Sequence, residues 1–179
     1  MIIAVVILAV ALILWYIFTQ KALVSKDEMC ANALSQIGVQ LSSRWDAVST
    51  LAKMVKNYSE HEYNTLMDVI GNRSEIKRSS AIEEVANQED LLSNAASRIM
   101  AVSESYPELK ANELYVKNMD LIKEYENNVR MSRMVYNDTV TKFNSMVRGL
   151  PSSIIAGFLG FEVKEYLKED SSKADMPEV

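Results

Sequence analysis

From Ile2 to Phe18 every residue is apolar or aromatic, a run of 17 at the very start of a 179-residue chain. Such a run is at the short end of what crosses the hydrocarbon of a bilayer as a helix. Trp15 and Tyr16 stand at its downstream end, where amphipathic rings favour the headgroup layer, and Lys21 follows closely. These three residues are therefore the expected membrane interface. A cleaved leader would carry a basic start and small residues at a cleavage site, and neither occurs here. Cys30 follows Asp27, Glu28 and Met29 rather than small residues, so it does not read as a lipidation site. The expectation is a single-pass anchor over residues 1–20 in the cell membrane. Only the α-amino group precedes the run, while Lys21 and Lys26 follow it, so the positive-inside tendency puts the bulk of the chain in the cytoplasm.

The remaining 160 or so residues suffice for about one domain. Five Gly and three Pro leave few turn residues for a strand-rich fold, so helix is favoured nearly throughout. The net charge of −5, spread without long like-charge runs, argues against an electrostatic grip on nucleic acid and against a polybasic attachment to anionic lipid. A single cysteine cannot form an internal disulfide, and packing alone must hold the fold.

Leu34, Ile37, Leu41, Trp45, Val48, Leu51, Val55 and Tyr58 recur at steps of three and four, with Ser42, Arg44, Asp46, Ser49, Lys53 and Lys56 assigned to the wet side. No turn signal separates Lys26 from Asn57, so this helix can run on from the span. Ser59 with Glu62 forms a capping box for a second helix carrying Tyr63, Leu66 and Ile70. From Gly71 to Ser80 the residues turn polar and charged and read as a weakened helix end or an exposed loop, the most mobile stretch expected inside the domain. Ser80 with Glu83 opens a third helix bearing Val85, Leu92, Ile99 and Tyr106, which Pro107 ends. A fourth spans about 111–150, with Leu114, Leu121, Tyr125, Val129, Tyr136, Phe143, Val147 and Leu150 on one face, stopped by Gly149 and Pro151.

Short connections between long amphipathic helices make neighbours antiparallel. The expected fold is all-α, an N-terminal transmembrane helix followed by an antiparallel up-and-down bundle of long helices. The bundle domain is expected over 21–162 and a charged, flexible tail over 163–179. The apolar stretch 154–161 is expected either to fold back on the bundle or to meet the membrane.

The stretch Asn32-Ala-Leu-Ser-Gln-Ile-Gly-Val-Gln-Leu-Ser-Ser-Arg-Trp-Asp46 resembles the first helix of the LemA family of membrane-anchored bacterial helical proteins. In order and spacing, Lys56-Asn-Tyr-Ser-Glu-His-Glu62, Ala101-Val-Ser-Glu-Ser-Tyr-Pro-Glu-Leu-Lys-Ala-Asn-Glu113, Tyr136-Asn-Asp-Thr-Val-Thr-Lys-Phe-Asn144 and Phe158-Leu-Gly-Phe161 agree with the same family. Arg133 and Met134 stand where that family places a basic pair, and Leu150 where an aromatic often precedes the proline. The resemblance implies a span and a helical domain, and no established reaction.

The residues support no catalytic, cofactor or metal site. His61 is a single histidine at a helix start, where zinc peptidases need two four apart and di-iron bundles need two Glu-x-x-His pairs. Cys30 has no activating neighbour. Arg130 and Arg133, with Glu124 and Glu126, read as exposed helix charges. Tyr106, Pro107, Glu108 and Lys110 form an interhelical corner, with Asn112 capping the last helix, and also the candidate docking loop. The sequence therefore points to a membrane-tethered interaction or scaffold module of the bacterial envelope, not an enzyme, held to the membrane by its first helix and engaging a protein partner or a second copy of itself. The alternatives are an accessory subunit with a carboxylate-based metal site, and a membrane-shaping protein acting through 154–161.

Overall fold

A computed structural model describes residues 1–168. Its spine is α1, a continuous helix from Ile2 to Val55. Good helix formers fill it, and Gly38 is its one interior breaker, so the helix of the apolar run continues without interruption into the helix of the core. Ile2–Phe18 lie almost wholly exposed, whereas Leu23, Ile37, Leu41, Trp45, Val48, Leu51 and Val55 are sealed from solvent.

The chain reverses at 56–59. Ser59 is the N-cap of α2 (Glu60–Ile70) and its hydroxyl accepts the Glu62 N–H at 3.3 Å, the expected cap. Residues 71–81 then run back along α1 without regular structure. They are pinned rather than loose. Arg73 bonds Asp46 and Ser42, both at 2.8 Å, Arg78 bonds Glu28, and Ile76 is buried over Gly38. An alanine methyl at Gly38 would sit 2.4 Å from the Ile76 carbonyl oxygen, so only a glycine lets the loop backbone lie this close.

Helix α3 (Ile82–Ser105) climbs beside α1. Its N-cap is Ala81, with no side-chain cap. Ser80, expected to cap it, instead accepts the Lys77 N–H at 3.0 Å within the loop. Pro107 ends α3 and begins the single turn α4 (Pro107–Lys110), after which Asn112 caps α5 (Glu113–Arg148) by accepting the Leu114 N–H at 2.9 Å and the Tyr115 N–H at 3.4 Å. α5 descends the whole bundle against α1, the most extensive helix pairing in the molecule. In its lower half Val129, Tyr136 and Phe143 are buried as expected. In its upper half Tyr115, Met119 and Ile122 are buried while Leu114 is exposed and Leu121 only half-buried, and at the foot Leu150, expected on the same stripe, is exposed because the helix has already ended at Arg148.

After Pro151, α6 (Ser152–Leu159) crosses the foot of the bundle, and Gly160 closes it at φ 75°. Residues 161–168 turn upward again between α1 and α5 without regular structure. Lys164 pairs with Asp27 at 2.8 Å, and Leu167 is buried in the main core. Residues 163–168, expected to belong to a loose tail, are thus packed against the bundle, because two asparagines of α5 meet their backbone hydrogen-bonding groups. The rest of that tail, 169–179, lies outside the described residues.

Candidate membrane and docking surfaces

Two ends of the bundle carry the residues singled out by the sequence, separated by about 40 residues of α1, or roughly 60 Å. At the foot, Trp15 is 37% exposed, Lys21 is exposed, and Tyr16 is half-covered. Tyr16, Thr19 and Leu23 fall on one face of α1, and α6 packs there through Ile155 and Ala156 with Leu159, Met146, Val147 and Phe161 around them. This small cluster is separate from the main core. The stretch 154–161 therefore does fold back on the bundle, yet Ile154 and Phe158 point outward at 66% and 84% exposure.

At the far end, Tyr106 stacks at a tilt against Tyr58, ring centroids 5.7 Å apart, and joins the α3–α4 corner to the top of α1. Leu109 is fully buried beneath it, while Pro107, Glu108 and Lys110 are exposed. The corner is both a packed joint and an accessible knob. On the outer side of α5, Met131, Met134 and Val135 are each more than half exposed, the last at 56%.

Between the two ends lies a polar layer that the sequence reading missed. Arg44, assigned to the wet face of α1, is 3% exposed and reaches Glu126 of α5 at 3.3 Å. Burial pulls its guanidinium below its ordinary pKa, and the carboxylates of Glu126 and Glu89 offset part of that. Arg133, read as an exposed helix charge, is instead largely covered. It clasps Glu89 of α3 at 2.5 Å and also donates to the Lys168 carbonyl. Spacing did carry a signal here, since Arg44 follows Leu41 by three residues and Ile37 by seven, which is the core face. Its charge argued otherwise, and the partner that neutralises it is 82 residues away in sequence.

Beside this layer, the fully buried Gln88 joins three elements. Its Oε1 accepts from Trp45 Nε1 at 3.0 Å and from the Ser74 N–H at 3.1 Å, and its Nε2 donates to the Asn72 carbonyl at 3.0 Å. These are structural ties. Among the described residues, no three or more of His, Cys, Asp and Glu converge so as to hold a metal ion. His61 lies exposed in the first turn of α2, and Cys30 is buried, its thiol pushed up by burial with Lys164 and Thr139 acting the other way. Arg130 is exposed on α5.

Among characterised proteins, the chain is 32% identical over 76 residues to Magnetosome protein MamQ 2 and, equally, to Magnetosome protein MamQ 1, both of Paramagnetospirillum magneticum (strain ATCC 700264 / AMB-1). The aligned stretch takes in 42% of this chain and 28% of each of those proteins, so the likeness spans under a third of their length. The sequence model of the LemA family matches residues 33–179, which takes in most of α1 beyond its apolar start and everything after it. By that match, on an all-helical fold, the chain belongs to the LemA family.

Proposed function

We propose that the protein is a single-pass, membrane-tethered helical module whose bundle presents docking surfaces to a protein partner or a second copy of itself, and that it acts by binding rather than by catalysis. The observation that carries this reading is the continuity of α1, which serves as apolar exposed helix over 2–18 and as the central strut of the core over 23–55. A helix with that much exposed apolar surface requires an apolar environment, and the bilayer supplies one. Because no hinge interrupts α1, the Tyr106–Lys110 corner is held roughly 60 Å from the end of the span, a geometry suited to a fixed presenting surface. The Met131, Met134 and Val135 patch supports the same reading, since flexible thioethers suit adaptable protein contacts. Lys21 and Lys26 favour placing the bundle on the cytoplasmic side.

A photo-crosslinking residue placed at Tyr106, Glu108 or Met134 of the full chain in living cells tests the proposal. Discrete adducts from these positions, and none from exposed Lys123 as a comparison site, are the expected result. Absence of adducts from all three positions would overturn it. Proximity labelling from the C-terminus with a compartment-restricted reagent decides the side: labelled cytoplasmic proteins are expected, and labelling confined to the outer side would reverse the topology.

A further inference from the structure

Helix α6 is an apolar element with only half of its apolar surface used. Ile155 and Ala156 are buried against Leu23, and the opposite side shows Ile154 at 66% and Phe158 at 84% exposure, four residues apart and so on one face. Leu150, in the turn just before, is 81% exposed. The place of this surface in the fold says what covers it. α6 packs on the Tyr16–Leu23 stretch of α1, and Tyr16 lies inside the apolar run itself. Any bilayer that takes in residues 2–18 therefore meets α6 at its surface.

Two further observations agree. The run of 17 residues is about 26 Å long as a helix, somewhat less than the ~30 Å of a typical hydrocarbon core, so an apolar collar at its end would lengthen the lipid-facing surface. Basic side chains lie nearby. Lys21, just past the apolar run, and Arg148, just before α6, are both exposed, while Lys142 is paired with Asp138 and the acidic Asp27 and Glu162 come only beyond them. Exposed basic side chains beside an apolar face suit a helix that lies in the interface of a membrane with anionic headgroups.

We infer that α6 is a second membrane-contacting element, an interfacial helix that sets Leu150, Ile154 and Phe158 into the headgroup and acyl boundary beside the span, with Lys21 and Arg148 facing lipid phosphates. This rests on residues 2–18 being the span. It makes the protein's hold on the membrane two-point: the span fixes position, and α6 fixes the tilt of the bundle relative to the bilayer.

Spin labels attached one at a time through Phe158→Cys, Ile154→Cys, Leu12→Cys and Lys123→Cys in the full chain, reconstituted in vesicles of phosphatidylcholine and phosphatidylglycerol, test the inference. Collision with oxygen, which concentrates in lipid, is compared with collision with a nickel chelate, which stays in water. All these positions are exposed, and buried Cys30 is shielded from the label. The expected result is a several-fold higher oxygen-to-nickel ratio at 154 and 158 than at 123, below that at 12. Ratios at 154 and 158 equal to that at 123, with 12 still in lipid, overturn the role of α6 and leave the anchor standing. Labels at 154 and 158 screened from both reagents overturn it in favour of a protein contact. A water-like ratio at 12 overturns the anchor and the inference together.

Discussion

Asn144 and Lys164 exchange two hydrogen bonds: the asparagine Oδ1 accepts the Lys164 N–H at 2.8 Å, and its Nδ2 donates to the Lys164 carbonyl at 2.9 Å. Seven residues earlier on α5, Asn137 treats Leu167 identically, at 3.0 and 2.9 Å. Two turns of helix, a rise of about 10.5 Å, separate the two asparagines and put them on one face of α5, where they hold backbone groups three residues apart. The side-chain amides thereby take the place of backbone partners, and residues 161–168 are held as a strap along α5.

Replacing Asn144 with alanine should cost about 1–3 kcal/mol, because both Lys164 backbone groups lose their partner in a half-buried setting. The sharper readout is local. Hydrogen exchange at the Lys164 and Leu167 amides is expected to accelerate strongly in the double variant Asn137→Ala/Asn144→Ala, with α3 amides unchanged. Asn144→Asp keeps the acceptor for the Lys164 N–H and should retain part of the protection there. Unaltered exchange at 164 and 167 in the double variant would show that Leu167 burial alone holds the strap.

Two glycines should respond with opposite signs to the same change. At Gly38 an added methyl meets the Ile76 carbonyl, and the expected overpacking penalty of about 1–3 kcal/mol outweighs the helix-propensity gain of about 1 kcal/mol. At Gly157 in α6 nothing lies within 4 Å, so Gly157→Ala should be neutral or stabilising by up to about 1 kcal/mol. Urea midpoints of the two variants check this. A stabilised Gly38→Ala would mean that the 71–81 loop can lift away from α1 at little cost.

The fold was legible where apolar spacing was long and unopposed. Ile37, Leu41, Trp45, Val48 and Val55 placed α1, Ser59 with Glu62 started α2, and Asn112 capped α5, all as expected from local chemistry. What escaped was non-local. Leu114 looked like core because leucine is apolar, yet it is exposed while the amphipathic Tyr115 beside it and Met119 are buried. Arg44 and Arg133 looked wet because their partners, Glu126 and Glu89, lie on other helices. The asparagine strap required knowing that residues 161–168 return past α5. The candidate surfaces divided in the same way: that Trp15, Tyr16 and Lys21 close the apolar run can be read along the chain, while the outward face of α6 needed the packing of Ile155 on Leu23 to be seen.

Gln88 should be among the most sensitive positions in the bundle. Gln88→Leu is nearly matched in size but leaves the Trp45 indole N–H, the Ser74 N–H and the Asn72 carbonyl without their shared partner, a loss on the order of 3 kcal/mol. Denaturant unfolding followed by far-ultraviolet circular dichroism measures it. Gln88→Glu, which keeps the acceptor oxygen but introduces a buried charge, should recover stability only as the pH is lowered toward protonation of the new carboxyl. A Gln88→Leu variant as stable as the parent would show that water replaces the lost bonds.

Tyr136 gives the bundle a signature at high pH. Its hydroxyl donates to the Glu165 carbonyl at 3.1 Å, and burial, reinforced by Cys30 and Glu165, pushes its pKa up to about 12 from 10.0. Below pH 10 both folded and unfolded chains keep the phenol proton, so this group adds no pH dependence. Between 10 and 12 the unfolded chain releases the proton while the folded one holds it, so unfolding releases a proton and rising pH favours it. Stability should therefore fall across that window, with buried Cys30 acting in the same direction from a lower starting pH. Tyr136→Phe begins about 1 kcal/mol less stable for want of the hydrogen bond, yet should decline less steeply between pH 10 and 12. Urea midpoints measured at half-unit steps from pH 8 to 12 compare the two slopes. Parallel curves would mean that the phenol ionises as readily in the folded chain as in the unfolded one, and that the Tyr136–Glu165 contact opens to water before the bundle melts.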